Sequence, residues 1–229
     1  MNVLAVVAHP DDADLWCGGT LKKYAEQGHT VSILVATNGR TGTHCKVDDQ
    51  ELIARREKEQ LAAASLYPAA VQFLRLDDGE LFNDRDTRRL MIDAMRRAQP
   101  DVILTHDPYD GNVDHHTVGA IVQDSIVYLP LENVRVQTPA LQRQPTVFLM
   151  DTYAGVGPMP TAFVDITDQF ETKRQALLCH RSQLTAETSW EEMLEVQGKF
   201  RGMQAGFRYA EAFKGFQLFD SMPDYKLLP

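Results

Sequence analysis

The chain opens with an unbroken apolar run, Val3 to Ala8, too short for a helix and lacking the alternation of a half-exposed strand. That pattern predicts a strand buried on both faces. It returns at Val31 to Ala36, Val71 to Leu76 and Val102 to Thr105. Helical stretches fall between and after these runs: Gly18 to Glu26, ending at Gly28; Glu51 to Leu66, rich in Ala, Arg and Glu; Thr87 to Ala98, stopped by Pro100; and His116 to Val127. Strands and helices alternate, which predicts an α/β fold with a parallel sheet and right-handed connections. The last third is less regular. Thr146 to Met150 and Ala162 to Ile166 read as strands, Thr172 to His180 and Trp190 to Phe207 as helices, and Leu129 to Pro145 as a loop or flap.

Composition narrows the class. A length of 229 residues with 44% apolar and 24% charged residues suits one domain, 1–229, with a core that needs no disulfide staples. The net charge of −9 argues against a nucleic-acid binder, which needs a basic surface. Cys17, Cys45 and Cys179 are odd in number and far apart, as expected of a reducing cytoplasm. The N-terminus lacks the basic region and cleavage site of a signal peptide, and no apolar run approaches the ~20 residues of a membrane span. A cytoplasmic protein without a membrane or nucleic-acid partner is expected, with homo-oligomerisation left open.

In open parallel sheets ligands bind beyond the carboxyl ends of the strands, where strand order reverses. Two strands here end in dense polar clusters: Ala8-His9-Pro10-Asp11-Asp12, and Thr105-His106-Asp107-Pro108-Tyr109-Asp110 running on to Asn112-Val113-Asp114-His115-His116. If the strands are neighbours, both clusters face one crevice. The first turn lacks the GxGxxG of a dinucleotide site and carries two carboxylates, which repel phosphate. Gly18 and Gly19 more simply allow close helix packing. His9, Asp12 and His115 together make a three-ligand set with an open fourth position, the pattern of a catalytic zinc. Asp11 is then left over as a carboxylate able to take a proton from water. On the pattern alone a second reading stands beside this one, in which His9 and Asp12 cap one helix and His115 begins another.

The string AHPDDADLWCGGTL, followed by THDPYDGNVDHHTVG, resembles the PIG-L/LmbE-like zinc deacetylases. Thr37-Asn38-Gly39-Arg40, Arg56 and Glu59, Leu76-Asp77-Asp78-Gly79, Asp165-Ile166-Thr167, His180-Arg181-Ser182-Gln183 and Tyr209-Ala210-Glu211-Ala212-Phe213 match that family in order. The resemblance implies a Rossmann-like three-layer α/β/α fold with a mostly parallel sheet. It implies one Zn²⁺ per chain on His9, Asp12 and His115, Asp11 as general base, Asp14 supporting the turn and Asp114 orienting its neighbours. Arg40, Trp16 and His180 become substrate-side candidates. The implied reaction removes an acetyl or other acyl group from the amide nitrogen of a small, polar, amino-sugar-like substrate. Hydrolysis of a different small amide in secondary metabolism, or metal or carbohydrate binding without turnover, are the alternatives.

Two departures from the family matter. Asn112 stands where the family's HPDH phrase begins with histidine, so a neutral donor to the oxyanion replaces a titrating group. Trp16 stands where a small residue is common. Other residues have blander readings. His106 reads either as support for the metal shell or as a strand-end histidine, and His180 either as a substrate contact or as a structural hydrogen bond. His116 lies about 100° around the helix from His115 and is left out of the ligand set. Cys17 reads as a small buried residue, and Arg55, Arg56, Glu57 and Glu59 as a solvated face from which Arg56 could turn inward to an acid.

Overall fold

The computed structural model describes residues 1–157, 159–184, 189–218 and 222–229. Along the chain lie β1 (Asn2–Val7), α1 (Asp12–Glu26), β2 (Thr30–Thr37), α2 (Asp49–Ala64), β3 (Ala69–Leu76), α3 (Arg85–Ala98), β4 (Val102–Thr105), α4 (Val113–Ser125), β5 (Thr146–Met150), β6 (Ala162–Asp165), α5 (Phe170–Leu177), α6 (Trp190–Ala205) and β7 (Ala210–Gly215). The seven strands form one sheet in the order β3-β2-β1-β4-β5-β7-β6. The unbroken apolar runs become central strands because helices cover both faces. Along β1, Val3, Ala5 and Val7 enter one core while Leu4 and Val6, with Ala8 beyond, enter the other. The first core packs against α1, α2, α5 and α6, the second against α3 and α4.

Two expectations are corrected. The sheet is mostly parallel, as the resemblance implies, and the purely parallel reading of the pattern fails only at β7, which runs antiparallel to both β5 and β6. Its sequence, Ala210-Glu211-Ala212-Phe213-Lys214-Gly215, carries no strand signal. Glu211 is nevertheless buried, because its carboxylate accepts the N–H groups of Gly19 (2.9 Å) and Thr20 (2.7 Å) and pairs with Lys173. The second correction concerns helix starts. Helix α1 begins at Asp12 rather than Gly18, and α4 at Val113 rather than His116. Both first turns are too polar to read as amphipathic helix, yet acids there complement the positive end of the helix dipole.

Close packing brings the second helix to the site. A Cβ on Gly119 of α4 would lie 2.5 Å from the His106 carbonyl oxygen and 3.1 Å from the Pro108 nitrogen, so only glycine lets the helix approach the loop after β4. Gly19 does the same for α1 against Ile166, at 2.9 Å, whereas a Cβ on Gly18 would meet only ordinary contacts. Gly119→Ala is expected to destabilise the fold by about 1–3 kcal/mol, the range for overpacking. It should weaken metal binding as well, since His115 lies one turn away on the same helix. A urea midpoint and a metal titration measure the two effects.

The segment after α4 is organised by one side chain. Arg96, buried at the end of α3, donates to the carbonyls of Tyr128, Leu129, Leu131, Val134 and Thr138 at 2.8–3.3 Å. Asp93 accepts the Thr138 N–H (2.8 Å) and hydroxyl (2.9 Å) beside it.

Candidate active site

Strands β1 and β4 are parallel neighbours, with Val6 beside Thr105, so the two polar clusters emerge side by side. Strand order reverses between them, because β2 and β3 extend to one side and β5 to the other. This is the crevice in which open α/β sheets bind ligands. The first turn of α1 supplies Asp12, and the first turn of α4 supplies Asp114 and His115.

His9 Nδ1, Asp12 and His115 Nε2 converge. His9 Nδ1 lies 3.2 Å from His115 Nε2 and 3.3 Å from Asp12 Oδ2, and His115 Nε2 lies 3.1 Å from Asp12 Oδ1. A tetrahedral site with bonds of 2.0–2.1 Å has edges of about 3.3–3.4 Å, so the donors fit one zinc-sized ion. The outer nitrogens explain why these three point inward. His9 Nε2 meets Asp78 Oδ1 (3.2 Å) and Asp114 Oδ2 (3.3 Å), and His115 Nδ1 meets Asp110 Oδ2 (3.3 Å). With the ring protons on the outer nitrogens that face those carboxylates, the inner nitrogens would present lone pairs to each other and to Asp12, an arrangement that calls for a cation. Without a metal the same carboxylates favour protons on the rings, which a bound cation would displace. Burial pushes both histidines down, yet Asp12 drives His9 well above its ordinary value and His115 up to about 9. Burial pushes Asp12 up, but His115, His106 and His9 together hold it well below the carboxylate range.

His106 plays a different part. It is buried and stacked on His115 with ring centroids 3.9 Å apart, and its Nε2 accepts the Ala8 N–H at 3.0 Å. Burial, with His115 adding to it, lowers its pKa to about 4, so it stays neutral as a packing wall behind the site.

Asp11 sits at φ 125°, a conformation that costs a non-glycine residue about 1–3 kcal/mol. Two residues one turn apart on α2 hold it there. Gln60 Oε1 accepts the Asp11 N–H (3.0 Å), and Arg56 donates to its carboxylate (3.0 Å) and to the carbonyls of Pro10 and Gly39 (2.8 Å each). Burial raises the Asp11 pKa, and the Arg56 guanidinium opposes that rise. Beneath this turn Asp14 accepts hydrogen bonds from Gln60 (3.0 Å) and Tyr67 and faces His180 Nε2 at 2.8 Å.

Asn112 caps α4: its Oδ1 accepts the N–H groups of Asp114 (2.9 Å) and His115 (3.3 Å). The oxygen is thus committed, and the amide NH₂ is the group left for a ligand. Asn112→Ala is expected to cost about 1 kcal/mol as a lost cap. If the NH₂ serves an oxyanion, kcat/KM also falls by about tenfold to a thousandfold, with neither limb of the pH profile moving. Asn112→Asp keeps the cap and removes the donor, so a stable but slow Asn112→Asp protein separates the two roles.

A cavity of about 540 Å³ opens over these groups, lined by His9, Asp11, Asp12, Asn112 and His115 and also by Leu15, Trp16, Tyr153 and Trp190. Trp16 therefore lines the cavity. Arg40 does not line the cavity; its guanidinium faces Glu80 (2.7 Å), Asp49 (3.5 Å) and Asp77 (3.6 Å). His180 is buried against Asp14 rather than exposed on the wall. His116 is exposed, away from the donors. Gln60, Asp78, Asp110, Tyr153 and Trp190 were missed as site residues. Asp78 and Asp110 stood in recognisable polar phrases, whereas nothing local marks Gln60, Tyr153 or Trp190.

Known proteins resemble this chain in sequence and fold. Residues 4–126 match the PIG-L family model, described as GlcNAc-PI de-N-acetylase. The chain is 31% identical to a diacetylchitobiose deacetylase of Thermococcus kodakarensis, with 93% of this chain and 82% of the relative aligned. It is 30% identical to a 4-oxalmesaconate hydratase of Pseudomonas putida, covering 89% and 81%. The solved N,N'-diacetylchitobiose deacetylase from Pyrococcus horikoshii superposes with a TM-score of 0.85 at 30% identity, over 93% of this chain and 83% of that one. With a family match across more than half the chain, this protein belongs to the PIG-L family.

Proposed function

We propose that the chain is a zinc-dependent hydrolase that removes an acetyl group from the amide nitrogen of an amino-sugar substrate. What favours this most is the convergence of three inward lone-pair donors with Asp11 on the same cavity wall. His9, Asp12 and His115 would hold the zinc, which supplies Lewis acidity for the acyl carbonyl and the attacking water. Asp11 takes a proton from that water and returns it to the departing nitrogen, so one carboxylate serves as base and then acid. Asp78 and Asp114 fix the His9 ring, Asp110 fixes His115, and the Asn112 amide donates to the oxygen that gains charge. Arg56 and Gln60 keep Asp11 in its strained position. The three free cysteines suit a reducing cytoplasm, and no helix of the described residues is long and apolar enough to cross a membrane.

Acetate release tests this directly. Zinc-loaded protein is expected to liberate acetate and a free amine from N-acetylglucosamine or its oligomers, and to stop on chelation. A second reading comes from the hydratase relative: hydration of a carbon–carbon double bond needs no protonated leaving amine, and Asn112 supplies none. Loss of the conjugated absorbance of 4-oxalmesaconate, without acetate release from any amide, would favour that reading instead.

A further inference from the structure

The same cavity carries an aromatic wall that the chemistry above does not use. Tyr153 and Trp190 meet edge to face, with ring centroids 5.6 Å apart at 90°, and both line the same cavity as His9 and His115. Tyr153 is 57% exposed, a large aromatic surface left open to solvent at the mouth. Trp16 and Leu15, both buried, line the same cavity.

This wall is held rigidly. Tyr153 lies in the loop after β5, and Trp190 opens α6. Arg201 of α6 is buried and grips that loop with a two-pronged pair to Asp151 (2.6 and 2.9 Å) and a bond to the Gly155 carbonyl (3.2 Å). Gln197, one turn earlier, donates to Asp151 (2.9 Å) and to the Thr152 carbonyl (3.2 Å). Loop and helix are thereby tied together, so the aromatic pair is set before any ligand arrives, which lowers the ordering cost of binding.

We infer that Tyr153 and Trp190, with Trp16 behind them, form a stacking subsite for a second pyranose ring, so that the substrate is at least a disaccharide; this rests on the amino-sugar assignment above. A pyranose presents an apolar C–H face and a rim of hydroxyls. The ring faces suit the aromatic wall, and the rim of hydroxyls suits the Thr41 hydroxyl and the main chain of Gly42 and Gly111, which line the same cavity. An acyl chain would favour an enclosed apolar tunnel, whereas this wall is open and adjoins carboxylates.

Trp16 and Trp190 are the only two tryptophans in the chain, so tryptophan fluorescence reports on this cavity alone. Chitobiose and glucosamine, both already free of acetyl groups, are titrated into the zinc-loaded protein, with calorimetry for Trp190→Ala. The wild type is expected to bind chitobiose at least about tenfold more tightly than glucosamine. Tyr153→Ala and Trp190→Ala each should lose about fivefold to tenfold of the disaccharide affinity, the size of one aromatic contact. Their glucosamine affinity should stay within about twofold, which also shows that the site remains folded, and Tyr153→Phe should keep most of the preference. Equal binding of the two sugars by wild type, no binding of either, or equal weakening of both in the variants overturns the subsite. So does a loss confined to turnover of N-octanoylglucosamine, which would assign the wall to an acyl chain. Acetate release separates the two claims. Turnover without a disaccharide preference keeps the deacetylase and removes the subsite, and aromatic-dependent chitobiose binding without acetate does the reverse.

Discussion

His115→Ala is expected to purify without its metal and with more than about 100-fold lower activity. Removing a residue that merely orients a ligand costs about 10–100-fold, and His115 is itself one of the three converging donors. Its loss also removes the ring against which His106 stacks and leaves Asp110 without its partner. Three neighbouring carboxylates, Asp12, Asp78 and Asp114, would then face His9 as the remaining imidazole with an inward nitrogen. Elemental analysis of wild type and variant measures the metal, and circular dichroism shows that the chain still folds. A full zinc complement in His115→Ala would sink the ligand assignment.

Asp11→Asn separates the metal from the proton. The amide keeps the shape and keeps an oxygen for Arg56, but it cannot accept a proton from water. Metal content should stay near normal while kcat falls by about 100-fold or more, the lower end of a general-base contribution. A fully active Asp11→Asn protein would place the base elsewhere. The pH profile gives a second check. The base works only when deprotonated, so activity is lost as pH falls through the Asp11 pKa. Burial raises that pKa and Arg56 holds it down. Arg56→Met removes the largest charge opposing burial, so the acid limb of kcat/KM should move to higher pH than in the wild type.

The chain declared its central strands openly, because strands covered on both faces must be apolar throughout, as Val3 to Val7 are. It declared the donor set for a related reason: His9, Asp11 and Asp12 fall within four residues, and Asp114 and His115 are adjacent. Groups contributed across long separations left no local trace. Gln60 supports Asp11 from 49 positions away, and its spacing from Arg56 looks like any solvated helix face. Tyr153 and Trp190 meet only because Arg201 ties two elements together. Strand β7 stayed hidden for another reason: its buried Glu211 is satisfied by helix N–H groups and a lysine, a solution that hydrophobic patterning does not register. The helix starts were misplaced because a first turn that faces a catalytic crevice is built from acids and imidazoles rather than from an apolar stripe.

Arg96 sets a rule for how the segment after α4 can diverge among relatives. Its guanidinium is satisfied by five main-chain carbonyls, and carbonyls are supplied by every residue type. The side chains between Tyr128 and Thr138 are therefore free to change, so long as the backbone closes around the same cation. The number of residues is not free, since one insertion would carry several carbonyls out of reach and strand a buried charge. This stretch should thus drift in sequence while holding its length, the reverse of an ordinary surface loop.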